Sequence, residues 1–107
     1  MTASKKAQVL SFDKVCELVA PVAKEYSGVE KIYLFGSRAR GDGTEESDYD
    51  FCVYLDDTFS LFKLSGLRID LVTALGCEVD IVDFTALKVG DTFIDEIKRD
   101  GVLVYER

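Results

Sequence analysis

The sequence predicts a small α/β domain (of the α+β kind), a mixed β-sheet with helices packed on it. Three short apolar runs, residues 31–35, 48–55 and 77–82, have strand length and are bounded by glycine or charge. Two longer segments, around residues 12–26 and 60–75, repeat their apolar positions at helical spacing. Helices alternating with strands are the pattern of a layered α/β fold.

In the first helical segment, Phe12, Val15, Cys16, Val19, Val22, Ala23 and Tyr26 recur on one face. Ser11 is a suitable N-cap, and Asp13 complements the positive end of the helix dipole. Pro21 predicts a kink or two helical pieces, because a proline in a helix interior removes one hydrogen bond and clashes with the preceding turn. Gly28 is the stop signal. The strand Lys31–Phe35 then runs directly into Gly36.

In the second strand, residues 48–55, Phe51, Val53 and Leu55 share one face, and Asp48, Asp50, Cys52 and Tyr54 the other. Leu61, Leu64, Leu67 or Arg68, Leu71 and Leu75 give the next helix, which ends at Gly76. The third strand, residues 77–82, carries Asp80 among apolar neighbours. Asp91 starts a last helix bearing Phe93, Ile94 and Ile97, and Val102–Tyr105 adds a final short strand. With 107 residues the chain reads as one domain, its first ten residues a loosely held terminus.

Composition narrows the function. With 13 basic and 20 acidic residues the formal net charge is −7, the wrong sign for a stable grip on a nucleic-acid backbone and compatible with a basic protein partner. No apolar run approaches the roughly 20 residues of a membrane span, and the start lacks a signal-peptide pattern. Cys16, Cys52 and Cys77 have no zinc spacing and read as reduced thiols, so the expected compartment is the cytoplasm. The chain contains no histidine, which removes Ser-His-Asp and Cys-His catalysis. The remaining chemistry is that of carboxylates and metals.

That chemistry has a plausible seat in residues 36–50. Gly36-Ser37 directly after a strand lets the backbone approach a phosphate chain, and a helix starting there would aim N–H groups at it. Ser37 adds a hydroxyl, and Arg38 or Arg40 a cation. Asp48 and Asp50, two apart on a strand, point the same way about 6.5–7 Å apart. Such a pair suits Mg²⁺, which prefers oxygen ligands and shares them with substrate phosphates. Asp80 joins them if its strand lies beside residues 48–55. The combination fits nucleotidyl transfer by a two-metal site, with Asp80 acting on the incoming hydroxyl as base or through one metal.

The bland readings are an ordinary strand-to-helix turn for Gly36-Ser37, a solvated strand edge for Asp48 and Asp50, and solvated surface arginines for Arg38 and Arg40. Asp42, Glu45 and Glu46 read as exposed loop charges, and Tyr33, Tyr49 and Tyr54 as packing rather than base-stacking groups. Glu78 shares the face of Asp80, and between a fourth acid of the site and a solvated residue at the strand start the sequence favours the solvated reading.

Leu34-Phe35-Gly36-Ser37-Arg38-Ala39-Arg40-Gly41, Ser47-Asp48-Tyr49-Asp50 and Val79-Asp80-Ile81-Val82 together resemble the minimal nucleotidyltransferases of the DNA polymerase beta-like superfamily. The resemblance covers about residues 12–105. It implies that fold, triphosphate binding at Gly36 and Ser37, two metals at Asp48 and Asp50, and Asp80 as third catalytic acid. Stand-alone domains of this size are similar to the antitoxin half of HEPN–MNT toxin–antitoxin pairs. That likeness implies AMP transfer from ATP to a tyrosine of a HEPN ribonuclease. Two alternatives stay open, transfer to a small molecule and a non-catalytic module that neutralises its partner by binding.

Overall fold

The computed structural model describes residues 10–44, 46–87 and 90–107. The expected loose terminus, residues 1–10, and Glu45 lie outside them except for Leu10. Among the described residues, four helices and four strands follow in the order α1 (Phe12–Lys24), β1 (Val29–Phe35), α2 (Ser37–Arg40), β2 (Tyr49–Leu55), α3 (Leu61–Leu75), β3 (Val79–Asp83), α4 (Thr92–Asp100) and β4 (Val102–Glu106). A 3-10 turn, Phe84–Ala86, follows β3 and was not foreseen.

The strands form one mixed sheet in the order β3-β2-β1-β4. β1 pairs antiparallel with both β2 and β4, while β2 and β3 run parallel. A parallel pair needs a long crossover, and α3 supplies it. The result is the predicted small mixed sheet flanked by helices.

Alternation along the strands sorts side chains between two layers. Ile32 and Leu34 of β1, Tyr49, Phe51 and Val53 of β2, and Val79 of β3 face α1 and α3 and meet Val15, Val19, Leu67 and Leu71 in the main core. On the other face Phe35 and Cys52 pack with Ile97 of α4, edged by Tyr33, Tyr54, Val82 and Phe84. Tyr54 stacks on Phe84 at 4.4 Å between centroids and Tyr33 tilts against Tyr54 at 5.6 Å, so these rings act as packing groups.

Capping followed the sequence. The Ser11 hydroxyl accepts from the Lys14 N–H at 3.1 Å, Ser60 does the same for Lys63 at 3.2 Å, and Asp91 accepts from Phe93 at 2.9 Å. Pro21 did not divide its helix: α1 runs unbroken through it. Pro21 is exposed and three residues from the helix end, and Glu17, whose carbonyl loses the donor that Pro21 lacks, is an exposed residue too. The second strand begins at Tyr49, which leaves Asp48 as the last residue of the loop before it.

Candidate active site

β1 and β2 bring the two halves of the predicted site together. Phe35 is the register partner of Asp50, so Gly36, one residue further, lies against the Asp50 side chain. A Cβ at Gly36 would collide with Asp50 Oδ2, and Gly36 has a φ of +79°. Both facts demand glycine. Ser37 then opens the single turn of α2, whose Gly36 carbonyl accepts from the N–H groups of Ala39 and Arg40 at 3.1 Å each. The first N–H groups of a helical turn have no acceptor within it, so this turn presents donors beside a carboxylate.

Asp50 and Asp80 are register partners across the parallel β2–β3 ladder and stand on the same sheet face. Asp50 is half-buried, Asp48 and Asp80 are exposed. Burial, the first cause, together with the charges of Asp80, Asp48 and Glu96, pushes the Asp50 carboxyl above its ordinary value, and Arg40 opposes the shift. Two like charges about 5 Å apart at an effective dielectric near 20 repel by about 3 kcal/mol, so a cation here would relieve a real cost. Neighbouring strands do place the three acids near one another, but no ready-made cage forms. Among the described residues, no three Asp, Glu, Cys or His side chains are gathered closely enough to hold a metal ion. Repulsion explains the difference, because the exposed Asp48 and Asp80 are free to turn toward water. The donor set itself fits Mg²⁺, which takes one or two carboxylates and completes its shell with water and phosphate oxygens.

The two arginines separate. The Arg40 guanidinium is on the acid side, bridging Asp42 and Asp100 at 3.3 Å each. Arg38 instead turns to the α1 side of the sheet. Its Nε and Nη2 donate to the Ser47 carbonyl at 3.0 and 2.7 Å, Nη1 donates to the Tyr49 hydroxyl at 3.3 Å, and its guanidinium lies 4.1 Å above the Tyr49 ring. Arg38 thus pins the loop that delivers Asp48. Tyr49 alternates with Asp50, so this contact is on the opposite sheet face from the carboxylates.

Glu78 is not the fourth acid. It precedes β3 and pairs with Arg68 at 3.1 Å. Glu96 of α4 takes that place, half-buried and close enough to act on Asp50. Sequence reasoning passed over Glu96 because only packing of α4 through Ile97 onto Phe35 and Cys52 brings it over the sheet. Its one visible signal was its place beside Ile97 in an amphipathic helix.

Of the acids, Asp80 lines a groove of about 380 Å³ between β3 and α3. A cavity of about 120 Å³ lies behind the site on the α1 face, lined among others by Phe12, Val15, Leu34, Arg38 and Tyr49. No helix among the described residues is long and apolar enough to cross a membrane.

Comparison with known proteins gives this geometry a family. A family model described as "Polymerase beta, Nucleotidyltransferase" matches residues 17–107. The chain is similar to the protein adenylyltransferase MntA of Thermococcus cleftensis, 40% identical over 67 residues that span 63% of this chain and 68% of the relative. It is also similar to a candidate protein adenylyltransferase of Methanocaldococcus jannaschii, 30% identical over 78 residues, 73% of this chain and 83% of the relative. Among solved structures, a toxin–antitoxin structure with AMP-PNP superposes with a TM-score of 0.71 at 26% identity, covering 92% of this chain and 75% of that one. A chain described as a candidate minimal nucleotidyltransferase gives the same TM-score and identity, covering 87% and 95%. The glycine-serine turn against Asp50, the Asp50–Asp80 pair on parallel strands and the family match over most of the chain lead to one statement: this protein belongs to the polymerase beta nucleotidyltransferase family.

Proposed function

We propose that this chain is an adenylyltransferase that moves AMP from ATP onto a tyrosine of a partner HEPN-type ribonuclease toxin and so acts as its antitoxin. The observation that carries the reading is the abutment of the Gly36-Ser37 turn on Asp50, with Asp80 beside it. The relatives named as protein adenylyltransferases and the AMP-PNP toxin–antitoxin neighbour support AMP as the group moved and a protein as its acceptor.

In this reading Gly36 and Ser37 hold the triphosphate by backbone and hydroxyl donors. Asp48, Asp50 and Asp80 are the residues that would hold Mg²⁺. When bound, it neutralises the triphosphate and lowers the cost of bringing an oxygen nucleophile to phosphorus. Asp80 holds the acceptor hydroxyl and takes its proton. The hydroxyl oxygen forms a bond to the α-phosphorus, the bond from that phosphorus to the bridging oxygen of the β-phosphate breaks, and pyrophosphate leaves with the electron pair. Arg40 offsets the negative charge beside Asp50, and Arg38 serves by fixing the loop rather than by touching phosphate. The reaction takes place in the cytoplasm, where Cys16, Cys52 and Cys77, all free, stay reduced.

Labelled ATP tests this. With the purified HEPN-type partner and Mg²⁺, label in the α-phosphate is expected on the partner and label in the γ-phosphate is not. Transfer of γ-label would make the reaction phosphorylation. A partner silenced without any label would make the chain a binding module.

A further inference from the structure

The helix α3 is apolar on both sides, unlike α1 and α4. Its inner face is covered: Leu67, Leu71 and Leu75 are buried in the core. Its outer face is not. Leu61 is 80% exposed, Phe62 91% and Ile69 60%. At 100° per residue Leu61, Phe62, Ser65 and Ile69 form one ridge about a quarter-turn wide, which no charged residue interrupts. Lys63, Arg68 and Asp70 of α3 are exposed beside this ridge, which leaves it a distinct apolar strip.

α3 packs on the sheet face opposite the acids, but the Leu61 end of its ridge borders a groove that reaches Asp80 around the β3 edge. Leu61, Leu64, Ser65 and Arg68 line a groove of about 380 Å³ whose other wall is Asp80 and Ile81. Arg68 spans it, donating to the Val79 carbonyl at 2.9 Å and pairing with Glu78. β3 is an edge strand, so this groove is open at the sheet's margin. Chemistry fixes what enters there. Gly36-Ser37 lies on the β1 side of Asp50, and Asp80 on the β3 side. In-line displacement places the attacking oxygen opposite the departing pyrophosphate. An acceptor hydroxyl therefore arrives from the β3 edge, and the body that carries it rests on α3.

We infer that the α3 ridge Leu61, Phe62 and Ile69, with the groove to Asp80, is the docking surface for the acceptor protein. This rests on the proposed function. The matching surface on the partner is an apolar patch beside the acceptor tyrosine. A small-molecule acceptor would have no use for the outer ridge, which lies beyond the groove.

The test is Leu61→Ser with Phe62→Ser in the full chain. Both side chains are in the first turn of α3 and exposed, so the fold and ATP binding are expected to stay as they are. Binding of the purified HEPN-type protein from the same genome is measured by calorimetry, and AMP transfer to it by mass. The expected result is binding at least about tenfold weaker, with the apparent KM for the partner raised equally and the KM for ATP unchanged. If the variant binds and modifies the partner as the wild type does, the docking surface is wrong while the function stands. If the wild type binds through the ridge but transfers nothing, the function is wrong while the surface stands. If the wild type does not bind the partner at all, both fall.

Discussion

Asp50 and Asp80 stand opposite each other on adjacent parallel strands, two acids side by side on a sheet face, with Arg40 opposing their mutual effect on Asp50. The arrangement costs stability in the free protein. Burial and the neighbouring acids raise the Asp50 carboxyl, so between its unfolded and folded values the native state binds the extra proton. Its contribution to stability is fully present below the unfolded value and is lost as pH rises through the folded one.

Replacing Asp50 by asparagine removes that penalty. In metal-free protein at pH 7 we expect Asp50→Asn to be more stable than wild type to urea, with the difference shrinking to nothing as pH falls below about 4, the ordinary carboxylate range. Adding Mg²⁺ with ATP should stabilise the wild type and leave the variant unmoved. A variant less stable at neutral pH would show that Asp50 is a structural residue.

Gly36 is held by two constraints at once, a positive φ and the Asp50 carboxylate where a side chain would begin. Gly36→Ala should cost about 1–3 kcal/mol in chemical denaturation and reduce ATP binding. Gly41 has a positive φ but nothing near it, so Gly41→Ala should show the smaller stability loss and keep ATP affinity.

Arg38 makes a planar fork on the Ser47 carbonyl while stacking on Tyr49. Lysine keeps the charge but not the fork. Arg38→Lys should therefore destabilise the fold by about 1–2 kcal/mol and lower turnover by displacing Asp48. Urea melts and transfer rates check both. A change confined to ATP affinity, with stability intact, would instead return Arg38 to the phosphates.

The layered fold was legible because each strand alternates or runs apolar between glycines, and because Ser11 caps where a cap was expected and Asp91 starts the last helix as expected. The glycine-serine turn and the Asp50–Asp80 pairing followed once the strands did. What sequence could not give were facts of tertiary direction. Pro21 looks like a breaker until it is placed on the exposed side of the last turn of α1. Arg38 and Arg40, two apart, look alike until the sheet divides them. Glu78 shares a strand pattern with Asp80, yet Arg68 reaches it first, and Glu96 arrives from a helix far along the chain. The exposure of Leu61 was hidden by a spacing that suited the core equally well.

The central claim is metal-dependent transfer of AMP by these acids. It is tested most directly by the intact mass of the HEPN-type partner after incubation with this chain, ATP and Mg²⁺. The account predicts a gain of one or more AMP units that disappears when Asp48→Ala and Asp50→Ala are combined. An unchanged mass with the wild-type chain, or the same gain with the double variant, would contradict it.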